Sequence, residues 1–208
     1  AAVSPSIAAN SSGDVKLEFS KCYFEGTVSN SAWQSGMILF YNCYFYSGAG
    51  PKCYSSSKVL CFNSYCSKPY VGDNQTFVAF INCNVYFHYN SSSSLTNDKY
   101  CSAEYMKYAK FENCILHPSS SYYNTNLFPT TVTAIKNLAT GSIFRNPDDN
   151  MVETTLSNIF TSGDFGIGEL TNNAKASFLG TDGKEVGIYG GMLPWNTATS
   201  VPQITSFK

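Results

Sequence analysis

One phrase recurs along this chain and leaves few folds open to it: Leu17-x-Phe19-x-x-Cys22-x-Phe24, Ile38-x-Phe40-x-Asn42-Cys43-x-Phe45, Val59-x-Cys61-x-Asn63-Ser64-x-Cys66, Val78-x-Phe80-x-Asn82-Cys83-x-Val85 and Ala109-x-Phe111-x-Asn113-Cys114-x-Leu116. Its central residue stands at 19, 40, 61, 80 and 111, so the steps are 21, 21, 19 and 31 residues, the last lengthened by an insertion. A fixed period of this size marks stacked units. Within each copy apolar residues alternate with polar ones, a strand pattern, and the alternation changes phase at the Asn, where the strand must bend. A leucine-rich repeat would need a recurrent leucine framework and a helical return, and neither stands between these copies. The expected fold is all-β, a right-handed parallel β-helix (solenoid) with coils of about 21 residues.

In such a stack equivalent residues lie about 4.8 Å apart, so each position can be read as a column. Leu17, Ile38, Val59, Val78 and Ala109 form an aliphatic inward column, and Phe19, Phe40, Cys61, Phe80 and Phe111 a mostly aromatic one. After the bend come a small-residue column, Cys22, Cys43, Ser64, Cys83 and Cys114, and an inward one, Phe24, Phe45, Cys66, Val85 and Leu116. Asn42, Asn63, Asn82 and Asn113, with Lys21 in the first coil, occupy the corner. Their expected role is structural, as stacked amides hydrogen-bonding up and down the stack.

At 208 residues the chain suits one solenoid domain. Residues 1–15 are expected to be an irregular lead-in or end cover. Regular coils occupy 16–117, and degenerate coils with a glycine-rich close run over 118–208. The close, Gly180 to Gly191, is expected to form the last coil and its tight turns; no helix follows it as a phosphate loop would require. With 13 basic and 14 acidic residues and a single arginine, Arg145, the chain lacks a general attraction for nucleic acid or anionic membrane. No 18-residue apolar run occurs, so no membrane insertion is expected.

Eight cysteines would ordinarily suggest four disulfides in a secreted protein. The repeat instead puts Cys22, Cys43, Cys61, Cys66, Cys83 and Cys114 on inward columns, where a thiol acts as a small buried hydrophobe. Only Cys53 and Cys101 lie between copies, so a bridge between them needs their loops to leave the same side. No CxxC pair is present and the two histidines, His88 and His117, belong to different coils, so no metal site is expected.

The F-x-N-C-x-F phrase, Ile143-Phe144-Arg145-Asn146-Pro147 and the close Gly180-Thr181-Asp182-Gly183 with Val186-Gly187-Ile188-Tyr189-Gly190-Gly191 and Pro194 resemble secreted right-handed parallel β-helix proteins of Bacteroidetes-type bacteria, related in fold to pectate lyases. The resemblance covers most of residues 16–204. It implies a secreted or cell-surface location, and a chain continuing past the stretch Pro202-Gln203-Ile204-Thr205. It does not settle activity, because the fold serves lyases, hydrolases, adhesins and other surface proteins.

A polysaccharide lyase on this fold needs a base and cations or calcium-binding acids on one face. A glycosidase needs paired carboxylates. The outward columns are Ser20, Tyr41, Phe62, Ile81 and Glu112, then Tyr23, Tyr44, Tyr65, Asn84 and Ile115, and neither is an acid/base face. The remaining catalytic or calcium candidates are Asp148, Asp149 and Asp164, with Asp182 and Glu185 at the close; His117 reads as a loop residue. The binding candidate is the Tyr23, Tyr44, Tyr65 strip, open to a sugar, to a protein partner or to cover by the chain itself. The expected function is a noncatalytic extracellular or cell-surface module with a structural or binding role, self-associating as a homo-oligomer or filament through open coil ends. The alternative is a carbohydrate-active enzyme acting on polysaccharide.

Overall fold

The computed structural model describes residues 6–7, 15–26, 28–30, 36–46, 50–53, 58–67, 69–71, 77–87, 109–118, 132–141 and 149–196. They build a parallel β-solenoid with three sheets. The first contains β1 (Ser6–Ile7), β4 (Val28–Asn30), β7 (Pro51–Cys53) and β10 (Tyr70–Val71). The second contains β2 (Val15–Ser20), β5 (Gly36–Tyr41), β8 (Lys58–Phe62), β11 (Phe77–Ile81), β13 (Ala109–Glu112) and β15 (Thr133–Ile135). The third contains β3 (Tyr23–Phe24), β6 (Tyr44–Phe45), β9 (Tyr65–Cys66), β12 (Asn84–Phe87), β14 (Ile115–Pro118), β16 (Leu138–Ala139) and β17 (Met151–Val152).

The repeat sets the register of the second and third sheets. Leu17 pairs with Ile38, Ile38 with Val59, Val59 with Val78 and Val78 with Ala109. The inward columns form one continuous core in which like stacks on like: Phe19 on Phe40 at 5.3 Å, Phe24 on Phe45 at 4.8 Å and Phe80 on Phe111 at 5.2 Å between ring centroids. The first sheet is a correction to the sequence reading, which took the segments between copies as loops. Its strands are two or three residues long, too short for alternation to register, and Pro51 stands at the first position of β7, where a missing N–H is tolerated. Within residues 1–15, Ser6 and Ile7 of β1 pair with Ser29 and Asn30.

The bend is a single left-handed residue. Lys21, Asn42, Asn63, Asn82, Asn113 and Lys136 have φ between 45° and 55°, a region that Asn enters more readily than most side chains. Each sends its N–H to the next coil, for example Asn42 N to Phe62 O at 3.0 Å and Asn113 N to Ile135 O at 3.0 Å. The following residue, the small column, lies inside the bend. Its side chains make a ladder of their own. Cys114 Sγ donates to Glu112 O at 3.3 Å in its own coil and to Phe80 O at 3.2 Å in the coil before, and receives the Cys83 N–H at 3.4 Å. Cys83 Sγ donates in the same way to Ile81 O and Cys61 O, and Cys43 Sγ to Tyr41 O and Phe19 O. Ser64 receives the Cys43 N–H at 3.0 Å, and Asn137 receives the Cys114 N–H at 2.9 Å while donating to Phe111 O at 3.0 Å. Asn150 continues the pattern, receiving the Asn137 N–H and donating to Ala134 O.

The six cysteines whose side chains are described are thus free thiols, as expected, but Cys22, Cys43, Cys83 and Cys114 also act as hydrogen-bonding groups that satisfy backbone a tight corner would otherwise strand. Burial pushes the Cys66 and Cys114 thiols well above the usual thiol range, with Cys61 and Cys83 as their respective thiol partners, and this keeps them protonated donors. The side chain of Cys53 and all of Cys101, the pair considered for a bridge, lie outside the described residues.

Two outcomes follow. Asn113→Val, forcing a β-branched residue into the left-handed region, should lower unfolding free energy in urea by about 2–3 kcal/mol, and Asn113→Gly by about 1 kcal/mol, since glycine keeps the corner and loses only the amide contacts. In a Cys53→Ser, Cys101→Ser background, native-state alkylation should modify Cys22, the half-buried end of the column, well before the five buried thiols, which should react only on unfolding. Equal rates at all six would contradict the interior ladder.

Candidate functional site

After β17 the chain leaves the solenoid and returns along its outside. The short helices α1 (Leu156–Ile159) and α2 (Asn172–Ser177) bring Ile159, Phe160, Leu170 and Ala174, with Val186, onto Ile115 and Leu138 of the third sheet, forming a second apolar cluster. Thr171 starts α2 by accepting the Ala174 N–H on its hydroxyl at 3.1 Å.

Residues 180–191 then lie across the Asn corner as a strap, instead of forming the last coil that the glycine pattern suggested. Asn113 Oδ1 accepts the Thr181 N–H at 2.9 Å and its Nδ2 donates to the Thr181 hydroxyl at 3.1 Å. Asn84 accepts the Ile188 N–H at 3.3 Å and donates to Gly166 O at 2.7 Å. Asn63 Nδ2 donates to Ile188 O at 3.0 Å and Gly190 O at 2.7 Å. Of the corner amides expected to bond one another along the stack, Asn63 and Asn113 instead bind the strap, joined by Asn84 of the outward column. The strap's glycines are required by proximity. A Cβ on Gly187, whose φ is +82°, would stand 2.4 Å from Asn84 Oδ1, and one on Gly191, at φ +73°, would stand 2.5 Å from Asn82 Oδ1.

The tyrosine strip meets this cover at one end only. Tyr23 stacks on Tyr44 at 5.4 Å and Tyr44 on Tyr65 at 4.8 Å, with planes within 15° of parallel. At that separation near-parallel rings overlap face to face instead of lying side by side, so the strip turns ring edges and hydroxyls to its surroundings. Phe165, carried by the returning segment, approaches Tyr65 at 6.1 Å, Tyr86 at 5.9 Å and His117 at 4.8 Å. Tyr65 is buried, whereas Tyr23 and Tyr44 stay half-buried and Tyr46, beside both, is 50% exposed. Burial pushes the Tyr44 and Tyr65 hydroxyls above the ordinary phenol range.

His117 is a strand residue of β14, not a loop residue. It packs against both Tyr86 and Phe165, the three rings forming a triangle, shares a hydrogen bond of 2.6 Å between Nδ1 and the Thr140 hydroxyl, and has its pKa pushed down to about 4 by burial, so it is neutral at pH 7. Asp149 is exposed in the turn before β17, and Asp164 is exposed in a turn closed by the Ser162 hydroxyl. Asp148 lies outside the described residues. Asp182 accepts the Lys184 N–H within the strap, and Glu185 is half-buried with its pKa raised by burial. Among the described residues, no three His, Cys, Asp or Glu side chains come close enough to hold a metal ion.

The first coil differs from those that follow. Among the described residues β1, β2 and β3 end their sheets. Leu17, Phe19 and Cys22 are only partly buried there, whereas Ile38, Phe40 and Cys43 at the same column positions are sealed. The sequence named open coil ends in general; at the far edge of the second sheet Val132 and Ala134 are likewise only partly buried, but there the returning segment covers the neighbouring third sheet. The fold and site carry the comparison no further: the chain matches no protein-family model, no curated protein and no solved structure.

Gly187→Ala should detach the strap, lowering the thermal midpoint by several degrees, equivalent to about 2 kcal/mol or more, and opening the 180–191 segment to protease. Unchanged melting and digestion would show that the strap is not held by this contact.

Proposed function

We propose that the chain is a noncatalytic structural and binding module, a β-solenoid displayed outside the cell that associates through its first coil. The observation that carries this reading is the exposure gradient: Leu17, Phe19 and Cys22 are partly open where the next coil is closed. A solenoid end with apolar columns and unpaired strand edges calls for a partner or a cap. The resemblance to secreted β-helix proteins of Bacteroidetes-type bacteria supports the surface location, as do the low charge and the abundance of Ser, Asn, Thr and Tyr. Polysaccharide fits the same module as a ligand of the Tyr23, Tyr44 and Tyr46 edges and hydroxyls. The carboxylate candidates supply no comparable support for a lyase or glycosidase, since Asp149 and Asp164 are both exposed turn residues.

Sedimentation across a concentration series tests the reading. The weight-average mass should rise above the 22.8 kDa of one chain, and Leu17→Asp, which sets an inward charge on the edge strand, should hold the mass at the monomer while far-UV circular dichroism stays that of the parent. A parent chain that stays monomeric at every concentration would overturn self-association.

A further inference from the structure

We infer that a second copy of this chain closes the first coil head to head, through antiparallel pairing of β2 with the partner's β2 about a two-fold axis at Leu17. This deepens the proposed end association and rests on it. A two-fold interface joins the same patch on both copies and ends there, whereas head-to-tail stacking would give an open series.

The register follows from β2 itself. Leu17 and Phe19 belong to inward columns, and Lys16 and Glu18 project outward, 60% and 52% exposed, as an ion pair within one strand. Antiparallel pairing that keeps core side chains inside must place inward residues opposite inward ones, so the two-fold axis falls on a residue, not between residues. An axis at Lys16 sets that lysine opposite its own copy. An axis at Glu18 does the same with two carboxylates. An axis at Phe19 carries Lys16 past the end of the strand at Ser20. An axis at Leu17 sets Lys16 opposite the partner's Glu18 and Glu18 opposite the partner's Lys16, so each intrastrand pair becomes part of a four-charge group across the joint, with Leu17 facing the partner's Leu17 inside.

The other edges agree with this choice. A two-fold axis normal to the second sheet exchanges the first and third sheets, so β3 meets the partner's β1, and these strands are each two residues long. The stacked rings end at the same place: Phe19 lies on Phe40 and Tyr23 on Tyr44, and each belongs to the last coil of its stack.

Charge reversal tests the register directly, by light scattering on the full chain. The parent should form a dimer. Lys16→Glu and Glu18→Lys should each weaken dimerisation about tenfold or more, since each sets two pairs of like charges across the joint. Mixing the two variants should restore a 1:1 heterodimer, because a strand carrying two carboxylates then faces one carrying two ammonium groups. The double variant, Lys16→Glu with Glu18→Lys, should dimerise like the parent and serves as the folding control. An open series of oligomers, a dimer indifferent to both reversals, or a mixture that stays unpaired would overturn the two-fold register while leaving end association standing. A strict monomer would overturn both.

Discussion

The left-handed corner is the constraint on which the rest of the molecule depends. One residue at φ near 50° turns the chain between the second and third sheets, and the sharpness of that turn leaves backbone groups inside the core that no ordinary strand ladder can reach. The column meets that demand: Cys43, Cys83, Cys114, Asn137 and Asn150 donate into the coil before, and Ser64, Cys114, Asn137 and Asn150 accept an N–H from it. A thiol is a weak donor, but here it is small, apolar enough for the core and kept protonated by burial, so a position that looks hydrophobic also works as a polar one. Replacing such a thiol with alanine removes little volume and leaves both a carbonyl and an N–H short of a partner.

The corner also governs what can lie outside it. A left-handed Asn projects its amide away from the core, and three of these corners, with Asn84 beside them, make a polar track. The glycine-rich strap follows this track because only backbone can approach so closely: Asn113 takes Thr181, Asn84 takes Ile188 and Asn63 takes the carbonyls of Ile188 and Gly190. Asn42 stands one coil beyond this track, and its Oδ1 is buried without a partner. Asn63 and Asn113 thus serve two structures at once, the bend by their tolerance of positive φ and the strap by their hydrogen bonds, whereas the Nδ2 of Asn82 is buried without a partner.

The core columns were legible in the sequence because burial on one face of a short strand imposes alternation, and stacking imposes it again in every coil. The phase change at Asn42, Asn63, Asn82 and Asn113 located the bend for the same reason. The first sheet was not legible: strands of two or three residues carry too little alternation to separate them from turns. The strap was missed because glycine reports permissive backbone without saying what approaches it. One signal for the returning segment was nevertheless present. The outward column reads Tyr23, Tyr44, Tyr65, Asn84, Ile115 and Leu138, passing from amphipathic to wholly apolar, and an outward aliphatic pair on consecutive coils needs a cover. His117 failed for a related reason, since Pro118 beside it suggested a loop where the fold allows proline to end an outer strand.

That gradient along one column makes the two ends of the solenoid physically unequal. In a stack where each coil is held mainly by its neighbours, a coil with a neighbour on both sides and a strap across its corner opens only with its surroundings, whereas a terminal coil opens at the cost of one interface. The coils of Asn63, Asn82 and Asn113 have both kinds of support. Among the described residues the rings of the first coil stack on one side only, where Phe19, Tyr23 and Phe24 lie on Phe40, Tyr44 and Phe45, while an interior coil stacks on both sides. Covering the free side would therefore stabilise the coil that gains most from it. In the proposed dimer the charged, outward Lys16 and Glu18 on that edge strand would act as selectors, opposing the registers that bring like charges together and favouring the one that interleaves them. Protection of the edge and, in the proposed dimer, choice of its partner would then be the work of the same two side chains.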